Sequence, residues 1–471
     1  MRKTKIICTI GPASENPEIL SQIIEAGMNV SRHNFSHGDH EEHAARINLV
    51  KELAKKHNKE IAVMLDTKGP EIRTGKFEPK KVELQAGDKF TVHAGGDVVG
   101  NTEECSVTYA GLANDVKPGD TILIDDGLVG LTVESIEGNK IHCTVQNTGF
   151  VATHKGVNVP GVSIKLPALT EKDIADLKFG CEIGVNAVAA SFIRKASDVE
   201  TIRKILNENG GEHIQIISKI ENQEGVDNID AILEASDGLM VARGDLGVEI
   251  PFEKLPAVQK MMIEKCNAAG KPVVTATQML DSMMRNPRPT RAEVSDVANA
   301  IYDGTDAIML SGESASGLYP QEAVMMMSKI ALKTEGTLDY QSLQRQAIRT
   351  APDDTSEAIC MSVAEIAYKF NVAAIIAFTE SGFTARKMAR YRTKSRIIAA
   401  TPSIKTVKAL ALNWGVKAVP CKPLNSRISM IDYASIIARE NGVKPGQKIL
   451  VTGGTPGVKG ATSYLELVEV K

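Results

Sequence analysis

Ile217-Ser-Lys-Ile-Glu-Asn222 completes a short apolar, β-branched run that begins at Ile214, and such a run is typical of a buried parallel strand. Because side chains alternate between the two faces of a strand, Lys219 and Glu221 point the same way. Burying an ammonium and a carboxylate together is costly unless they bind each other or a ligand. One interpretation is a structural ion pair; the other is a site where Glu221 binds a metal ion and Lys219 neutralises an anionic substrate.

The composition indicates a soluble globular protein with more than one domain. The chain has 471 residues, of which 43% are hydrophobic and 24% charged, and its net charge is -3. This balance argues against nucleic acid or an anionic membrane as the main partner. The seven cysteines include no Cys-x-x-Cys pair, which fits free thiols in a reducing compartment. We find no signal peptide or run of transmembrane length, and we therefore expect a cytoplasmic protein.

Two parts of the chain alternate short apolar strands with amphipathic helices. Three strands are predicted before residue 68 and five after residue 170, where Thr170 with Asp173 and Thr290 with Glu293 have capping-box spacing. The predicted strands are 5–9, 28–36 with its exit loop, 61–67, 187–191, 214–220, 238–242, 273–277 and 307–310. Eight βα units most often close into a barrel, so the sequence predicts a (β/α)8 TIM barrel interrupted after its third strand.

The remaining segments predict two further domains. Between the two barrel parts the chain shows alternating short strands and turn signals, including a meander over 121–145, and no convincing helix. We expect a small β-barrel lid that moves on hinges at 68–70 and 160–161. After a polar linker near 334–353 the βα rhythm starts afresh, as in a C-terminal α/β domain. The predicted boundaries are 1–68 and 168–340 for the barrel, 69–167 for the lid and 341–471 for the last domain.

Polar residues collect where the predicted barrel strands end, which is where barrel enzymes hold their active sites. The two carboxylates Glu221 and Asp245 suit Mg²⁺ or Mn²⁺, and an N–H at Gly244 is placed to meet a substrate carboxylate. These strand ends carry Arg32, Asn34, Ser36, Asp66, Thr67, Lys219, Glu221, Arg243, Gly244, Asp245, Thr277, Ser311 and Glu313. The mixture of cations and carboxylates points to phosphoryl transfer, in which the protein positions groups and offsets charge. Lys219 would then contact the transferring phosphoryl group with Arg32 beside it.

A second set of oxygens has a different charge. Asn34, Ser36, Asp66 and Thr67 offer neutral oxygens with one negative charge between them, which suits a monovalent cation better than Mg²⁺. The chain has neither a Walker A motif nor a kinase-type glycine-rich loop. A nucleotide would have to bind in some other way.

The chain resembles the pyruvate kinase family from end to end, of the bacterial type without an extra C-terminal domain. The resemblance lies in motifs whose order and spacing are specific. They are Thr9-Ile-Gly-Pro, Arg32-His-Asn-Phe-Ser-His-Gly, Leu65-Asp-Thr-Lys-Gly-Pro-Glu-Ile-Arg73, Ile217-Ser-Lys-Ile-Glu-Asn-Gln-Glu-Gly, Val241-Ala-Arg-Gly-Asp-Leu-Gly, Ala276-Thr-Gln-Met-Leu, Pro287-Arg-Pro-Thr-Arg-Ala-Glu and Met309-Leu-Ser-Gly-Glu-Ser.

The resemblance implies transfer of a phosphoryl group from phosphoenolpyruvate to ADP, giving pyruvate and ATP, in a homotetramer with a C-terminal effector domain. It assigns Lys219 to the transferring phosphoryl group, Thr277 to catalysis, and Glu221 and Asp245 to Mg²⁺. Phosphoenolpyruvate would contact Arg32, Gly244, Asp245 and Thr277; K⁺ would contact Asn34, Ser36, Asp66 and Thr67; the nucleotide would contact Asn34, His37, Arg73 and Lys155. Glu71 matches the members that need K⁺, whereas members that do not need it carry Lys there.

Two features depart from the family pattern or leave alternatives open. Position 33 is His where members usually have an apolar residue, and we expect His33 to point outward into the layer between barrel and helices. A zinc site of His33, His37, His40 and His43 is an alternative, although no thiolate lies nearby in the sequence. Sugar-bisphosphate-activated members often carry Trp and Arg near the C-terminus, where this chain has Thr452-Gly-Gly-Thr-Pro-Gly.

The last domain contains a candidate effector site. Thr379, Ser381 and Thr384 lie between a predicted strand and helix, where backbone N–H groups and hydroxyls can hold the phosphate of an allosteric effector. The alternative is an ordinary strand-to-helix turn in which Ser and Thr act as caps.

Two rival functions use the same barrel. A metal-dependent pyruvate aldolase or lyase would also need two carboxylates, a divalent ion and an arginine, but it leaves the monovalent-cation set and the lid unexplained. A non-enzymatic sensor would have lost catalytic groups, whereas Lys219, Glu221, Asp245 and Thr277 are all present.

Overall fold

The barrel is assembled from two parts of the chain in the computed structural model, which describes residues 1–424, 426–454 and 460–471. In the first part the side chains of Asn16 and Asp39 cap the two helices, as expected of residues that accept from free N–H groups. Its elements are β1 (Lys5–Thr9), α1 (Pro17–Ala26), β2 (Val30–Asn34), α2 (His40–Lys56) and β3 (Ala62–Asp66).

Strands dominate the lid, whose elements are β4 (Lys81–Leu84), β5 (Lys89–Ala94), β6 (Glu104–Val107), α3 (Leu112–Asp115), β7 (Thr121–Ile124), β8 (Val129–Glu137), β9 (Lys140–Val145), β10 (Gly149–Ala152) and β11 (Val157–Asn158). Six strands form one sheet in the order β11-β7-β8-β9-β5-β6, and β10 pairs with β4. The predicted antiparallel meander is confirmed in β7, β8 and β9. The expectation of no helix is wrong for one turn, α3, which forms because Leu112 and Ala113 are buried in the lid core.

The second part of the barrel follows the predicted rhythm, and both predicted capping boxes are confirmed at Thr170 and Thr290. Its elements are α4 (Glu171–Ile183), β12 (Ala187–Ala190), α5 (Ala196–Glu208), β13 (Gln215–Ile220), α6 (Gln223–Asp227), α7 (Ile229–Ala235), β14 (Gly238–Ala242), α8 (Arg243–Glu249), α9 (Leu255–Ala269), β15 (Val273–Ala276), α10 (Arg291–Asp303), β16 (Ala307–Leu310), α11 (Gly312–Ala315) and α12 (Pro320–Glu335).

Eight parallel strands close the barrel in the order β1-β16-β15-β14-β13-β12-β3-β2, which confirms the predicted (β/α)8 fold. Alternate side chains fill the interior, among them Ile7, Met64, Ile217 and Met240, and the other face of each strand packs against the helices. This alternation sets which polar side chains reach the carboxyl end of the barrel.

A five-stranded sheet forms the C-terminal α/β domain. Its order is β19-β18-β17-β20-β21, with β21 antiparallel at the edge as predicted. The stretch predicted as a linker is helical, because it contains α13. The elements are α13 (Tyr340–Arg349), α14 (Thr355–Lys369), β17 (Ala374–Phe378), α15 (Phe383–Arg390), β18 (Arg396–Thr401), α16 (Ile404–Ala409), β19 (Val416–Pro420), α17 (Arg427–Glu440), β20 (Lys448–Gly453) and β21 (Tyr464–Glu469).

Buried charges join this domain to the amino end of the barrel. Lys3 Nζ donates to the carbonyl oxygens of Thr393 and Lys394 at 2.5 and 2.6 Å, and it lies 4.9 Å from the Trp414 ring centroid. Arg392 forms an ion pair with Asp306 at 3.1 Å. The two domains are therefore held together by groups that bind each other or backbone carbonyls.

Two features considered in the sequence, the glycine-rich segment near the C-terminus and the lack of a transmembrane run, can be compared with the structure only over the described residues. Part of the glycine-rich segment at 452–457 lies outside the described residues, because placement is described only up to 454 there. Within the described ranges, none of the helices combines enough length with enough apolar character to cross a membrane.

Candidate active site

A network of buried ion pairs connects strands β2, β3 and β13 at their carboxyl ends. Arg32 Nε donates to Asp66 Oδ2 at 2.5 Å, and Lys219 Nζ lies 3.3 Å from Asp66 Oδ1. The same ammonium lies 2.8 Å from Glu221 Oε1, so Lys219 and Glu221 do point the same way. Each of these charged groups has more than one partner, so the arrangement is a network and not an isolated structural ion pair.

Burial and neighbouring charge together set the pKa values in this network. Burial alone would lower the pKa of Lys219, but the surrounding carboxylates raise it, so the ammonium stays charged. Burial alone would raise the pKa of Asp66, and Arg32 with Lys219 hold it below its usual value. For Glu221, burial raises the pKa, and Asp245 raises it further although Lys219 opposes this. A divalent cation between the two carboxylates would remove their repulsion, so the donor set fits a hard metal ion.

The two carboxylates of that donor set are held differently. Glu221 is buried, and its Oε2 accepts the Phe192 N–H at 2.5 Å. Asp245, at the start of α8, is exposed and lines a cleft between lid and barrel. Among the described residues no hydrogen bond or ion pair occupies the Asp245 carboxylate. One fixed carboxylate and one free carboxylate can thus approach the same ion.

Thr277 and Gly244 meet at the ends of β15 and β14. The Gly244 N–H donates to Thr277 Oγ1 at 2.7 Å, and this hydroxyl donates to the Ala276 carbonyl at 2.6 Å. Thr277 has a φ of 69°, which is strained for a β-branched residue and is often found at functional sites. Arg243 holds this conformation by donating to the Thr277 carbonyl at 2.7 Å, and it also pairs with Asp296.

The four residues predicted to hold a monovalent cation come from two neighbouring strand ends. Asn34 on β2 is the register partner of Asp66 on β3. The Ser36 N–H donates to Asn34 Oδ1 at 3.2 Å, and Thr67 Oγ1 accepts the Ser191 N–H at 3.0 Å. Asp66 is the one ionisable group in the set, so these oxygens fit a monovalent cation better than a divalent one.

The cleft between lid and barrel has a volume of about 680 Å³. Arg73 and Lys155 line it from the lid side, where Arg73 Nε donates to Glu71 at 2.8 Å and Lys155 Nζ lies 3.0 Å from Asp125. Of the four residues predicted to contact the nucleotide, Asn34 and His37 are not among the described residues that line it. The structure thus brings together only two of the four.

The reactive network lies beside this cleft rather than in its wall. Lys219 and Arg32 are largely buried, with side chains about one-tenth exposed. Phe192 and Asn222 line the cleft and adjoin Glu221, the first through its N–H and the second as its chain neighbour. The wall of the cleft therefore includes a residue that contacts Glu221, the partner of Lys219.

Three of the four histidines of the zinc alternative make other contacts, and the fourth, His37, is exposed. His33 Nε2 lies 3.2 Å from Ser31 Oγ, and the ring packs edge-on to His43 on α2, which confirms that it points outward. Burial, with the nearby positive charges, lowers the pKa of His33 to about 3, so the ring is neutral. His40 pairs with Asp176 at 2.7 Å. In the described ranges, no group of three or more His, Cys, Asp or Glu is arranged to hold a metal.

The predicted effector residues are only partly available. Thr379 Oγ1 accepts the Gly382 N–H at 2.9 Å, and buried Thr384 hydrogen-bonds to Thr462 at 2.8 Å. Ser381 is exposed and lines a cavity of about 930 Å³ between this domain and the barrel. Only Thr379 thus has the contact expected of an ordinary strand-to-helix turn, whereas the Thr384 hydroxyl is bonded to a distant part of the chain.

Sequence reasoning missed Thr9, Ser191, Phe192 and the role of Arg243. Arg32 Nη1 donates to Thr9 Oγ1 at 2.9 Å, and Lys219 Nζ donates to Ser191 Oγ at 2.8 Å. Thr9 ends β1 and Ser191 follows β12, so the strand-end rule, applied to all eight strands, finds both. The sequence carries no comparable signal for Phe192, whose backbone N–H does the binding.

Comparison with known families and proteins agrees with this geometry. The family model for the barrel domain of pyruvate kinase matches residues 1–324, and the model for its alpha/beta domain matches residues 357–468. The chain belongs to the pyruvate kinase family. A pyruvate kinase of Clostridium acetobutylicum is 58% identical to it over 100% of both chains.

Other bacterial pyruvate kinases give the same result. That of Clostridium perfringens is 52% identical over 100% of both chains. That of Geobacillus stearothermophilus is 53% identical over 99% of this chain and 80% of its own length. The aldolase or lyase alternative has no support among these relatives.

Proposed function

We propose that this chain transfers the phosphoryl group of phosphoenolpyruvate to ADP, giving pyruvate and ATP. The proposal rests mainly on the buried ammonium of Lys219, which lies 2.8 Å from Glu221 and 3.3 Å from Asp66. Membership of the pyruvate kinase family supports the choice of substrates. Phosphoryl transfer needs a positive group that stays charged while negative charge spreads over the migrating oxygens, and the raised pKa of Lys219 meets this need.

In this proposal Lys219 and Arg32 bind the transferring phosphoryl group. Asp66 orients both, because its two oxygens pair with the two cations. Glu221 and Asp245 bind Mg²⁺ or Mn²⁺. When bound, that ion offsets negative charge on substrate oxygens.

Thr277 and Gly244 act on the other part of phosphoenolpyruvate. The Gly244 N–H, which donates to Thr277 Oγ1, is the donor that we assign to the substrate carboxylate, and Asp245 adjoins it. After transfer the enolate takes a proton at carbon, and the Thr277 hydroxyl passes it on, with or without a water.

The proposal includes K⁺ and a nucleotide site. Asn34, Ser36, Asp66 and Thr67 bind K⁺, and Glu71 matches the members of the family that need this ion. Arg73 and Lys155, which line the cleft, bind the phosphates of ADP, and Asn34 and His37 join them when the lid moves. Residues 69–167 form that lid.

Regulation and assembly are further parts of the proposal, and they rest on the family resemblance. A phosphorylated effector binds at Thr379, Ser381 and Thr384 in residues 341–471, and the chain forms a homotetramer in the cytoplasm. Titrating sugar phosphates and AMP tests the first part, which fails if none shifts the half-saturation for phosphoenolpyruvate. Light scattering tests the second, which fails if the mass is that of a monomer.

One assay tests the proposed reaction. Pyruvate release from phosphoenolpyruvate is measured with and without ADP, Mg²⁺ and K⁺, and we expect it to require ADP and Mg²⁺ and to rise with K⁺. Release that is independent of ADP would support a lyase. No release under any condition would support a non-enzymatic sensor.

A further inference from the structure

A concave, strongly basic surface lies where the amino end of the barrel meets the C-terminal domain, and it shares no lining residue with the cleft. Its volume is about 430 Å³. The end of α2 and the loop after it form one wall, and α16 forms the other. We call it the basic pocket and define it by its five lysines, Lys51, Lys55, Lys59, Lys405 and Lys408.

The positive charge of the basic pocket is largely unbalanced. Among the described residues that line it, Glu60 is the only carboxylate, and it pairs with Lys408 at 2.5 Å. Lys51 Nζ donates to the Ile183 carbonyl at 2.5 Å. Lys55, Lys59 and Lys405 have no carboxylate partner in the described part of the chain.

The positive charge contributes to the lowered pKa values of two groups that line the pocket, Lys51 and His213. Burial lowers the pKa of Lys51, and Lys408 lowers it further. Burial also lowers the pKa of His213, which lines the pocket, and Lys405 adds to this effect. Like charges that oppose one another at a partly buried surface would be relieved by an anion between them.

Ordinary structural roles account for only part of this surface. Lys55 lies in the last turn of α2, where a cation interacts favourably with the helix dipole, and Lys51 hydrogen-bonds near the end of α4. Neither role explains why Lys59 and Lys405 come from different domains to the same concave surface.

We propose that the basic pocket binds a small polyanion that carries at least two phosphate groups. A single phosphate would meet only some of the lysines, whereas a compact polyphosphate spans both walls. The volume suits a small molecule and not a macromolecule. Because the lysines come from both domains, the bound anion bridges the barrel and the C-terminal domain, and it raises the temperature at which they separate.

Calorimetric titration of the full-length chain with inorganic tripolyphosphate, without divalent ions, tests this proposal. The double variant Lys55→Gln/Lys59→Gln should weaken binding at least tenfold, and the single variant Lys405→Gln should weaken it less. The matched control Lys89→Gln/Lys140→Gln removes two lysines from the lid and should bind as the unsubstituted chain does. The variants Lys155→Gln, in the cleft, and Thr384→Ala, in the effector turn, show whether tripolyphosphate binds at those sites instead. Neither substitution should abolish binding at the basic pocket.

Two more ligands identify the source of the phosphates. Adenosine 3′,5′-bisphosphate reports whether a nucleoside polyphosphate fits, and orthophosphate at matched ionic strength reports the effect of salt alone. Tighter binding of tripolyphosphate than of orthophosphate supports the proposal. Equal binding by the Lys55→Gln/Lys59→Gln variant and the unsubstituted chain would overturn it, as would the absence of saturable binding. If the double variant does not fold, as judged by its melting curve, the Lys405→Gln result decides.

Discussion

The two ends of the barrel both carry buried charges, but they use them differently. At the amino end, Lys3 and Lys5 donate to backbone carbonyls of the C-terminal domain, and Arg392 pairs with Asp306. At the carboxyl end, the partners of Lys219 in the described part of the chain are all side chains, and the Asp245 carboxylate has no partner there.

The comparison shows what distinguishes a reactive charge from a structural one. A buried cation that is bound to carbonyl oxygens has its donors satisfied, and the domain that covers it excludes a ligand. A cation that is surrounded by carboxylates beside an open cleft can exchange one of them for a substrate oxygen. Substitutions at the two ends should therefore have opposite effects on activity and on stability.

The largest expected effect is at the carboxyl end. Lys219→Met should lower the rate of phosphoryl transfer by about 10³-fold or more, because it removes the charge that stabilises the migrating group. Exchange of the methyl protons of pyruvate should remain detectable, since Thr277 and the carboxylates are intact. The checks are a coupled assay for pyruvate and proton NMR in D₂O. Equal loss of both activities would contradict the assignment of separate roles.

The next effect is at the amino end. Arg392→Met leaves the buried Asp306 without its cation, which should destabilise the chain by about 3 kcal/mol. Trp414 lies at this junction and is the only tryptophan, so its fluorescence during urea unfolding reports the change. The exposed control Lys204→Gln should differ by less than about 0.5 kcal/mol. A large loss of kcat in folded Arg392→Met would show that this end is not merely structural.

A smaller effect depends on pH. Burial, with Arg2 adding to it, lowers the pKa of Lys5 from 10.5 to about 8 in the folded chain. Between these values the unfolded state binds more protons, so the penalty for burying Lys5 decreases as the pH rises. We expect the stability gained by Lys5→Met, relative to the unsubstituted chain, to fall by about 2 kcal/mol between pH 8 and pH 10.

Parallel pH titrations of the exposed-lysine variant Lys140→Met provide the control. Its difference from the unsubstituted chain should not change over the same range. A Lys5→Met difference that is also constant with pH would mean that the amine has an ordinary pKa in the folded state.

The smallest effect concerns K⁺. Members of the family that do not need K⁺ carry Lys at position 71, so we expect the ammonium of Glu71→Lys to take the place of the bound cation. We expect the ratio of kcat/KM with K⁺ to that without it to fall about tenfold, which corresponds to about 1.4 kcal/mol. The conservative variant Glu71→Gln should keep its dependence on K⁺. An unchanged ratio in Glu71→Lys would remove the support for this cation site.

Most of the fold could be predicted from the sequence because periodicity and strand length are local properties. Strands such as β1, β14 and β16 begin and end where the apolar runs do. The helix α13 was missed because its residues are polar, and α3 was missed because one turn has no detectable period. The path of the lid strands into a six-stranded sheet depends on long-range pairing, which the sequence pattern does not carry.

The sequence could predict the active-site groups that are side chains, but not those that belong to the backbone. Lys219, Glu221 and Asp66 were found because strand alternation and the strand-end rule place them together. The Phe192 N–H was not found, because a backbone donor leaves no trace in residue identity, and its φ of 56° appears only in three dimensions. The position of His37 outside the cleft likewise depends on how the lid sits on the barrel.

The central claim is that Glu221 and Asp245 bind one divalent ion beside Lys219. Anomalous scattering from a crystal grown with Mn²⁺ and phosphoenolpyruvate tests it most directly. We predict one strong peak within about 2.2 Å of an oxygen of each carboxylate, with the phosphoryl group in contact with Lys219 Nζ. A peak bound to neither carboxylate, or one at the amino end of the barrel, would contradict the account.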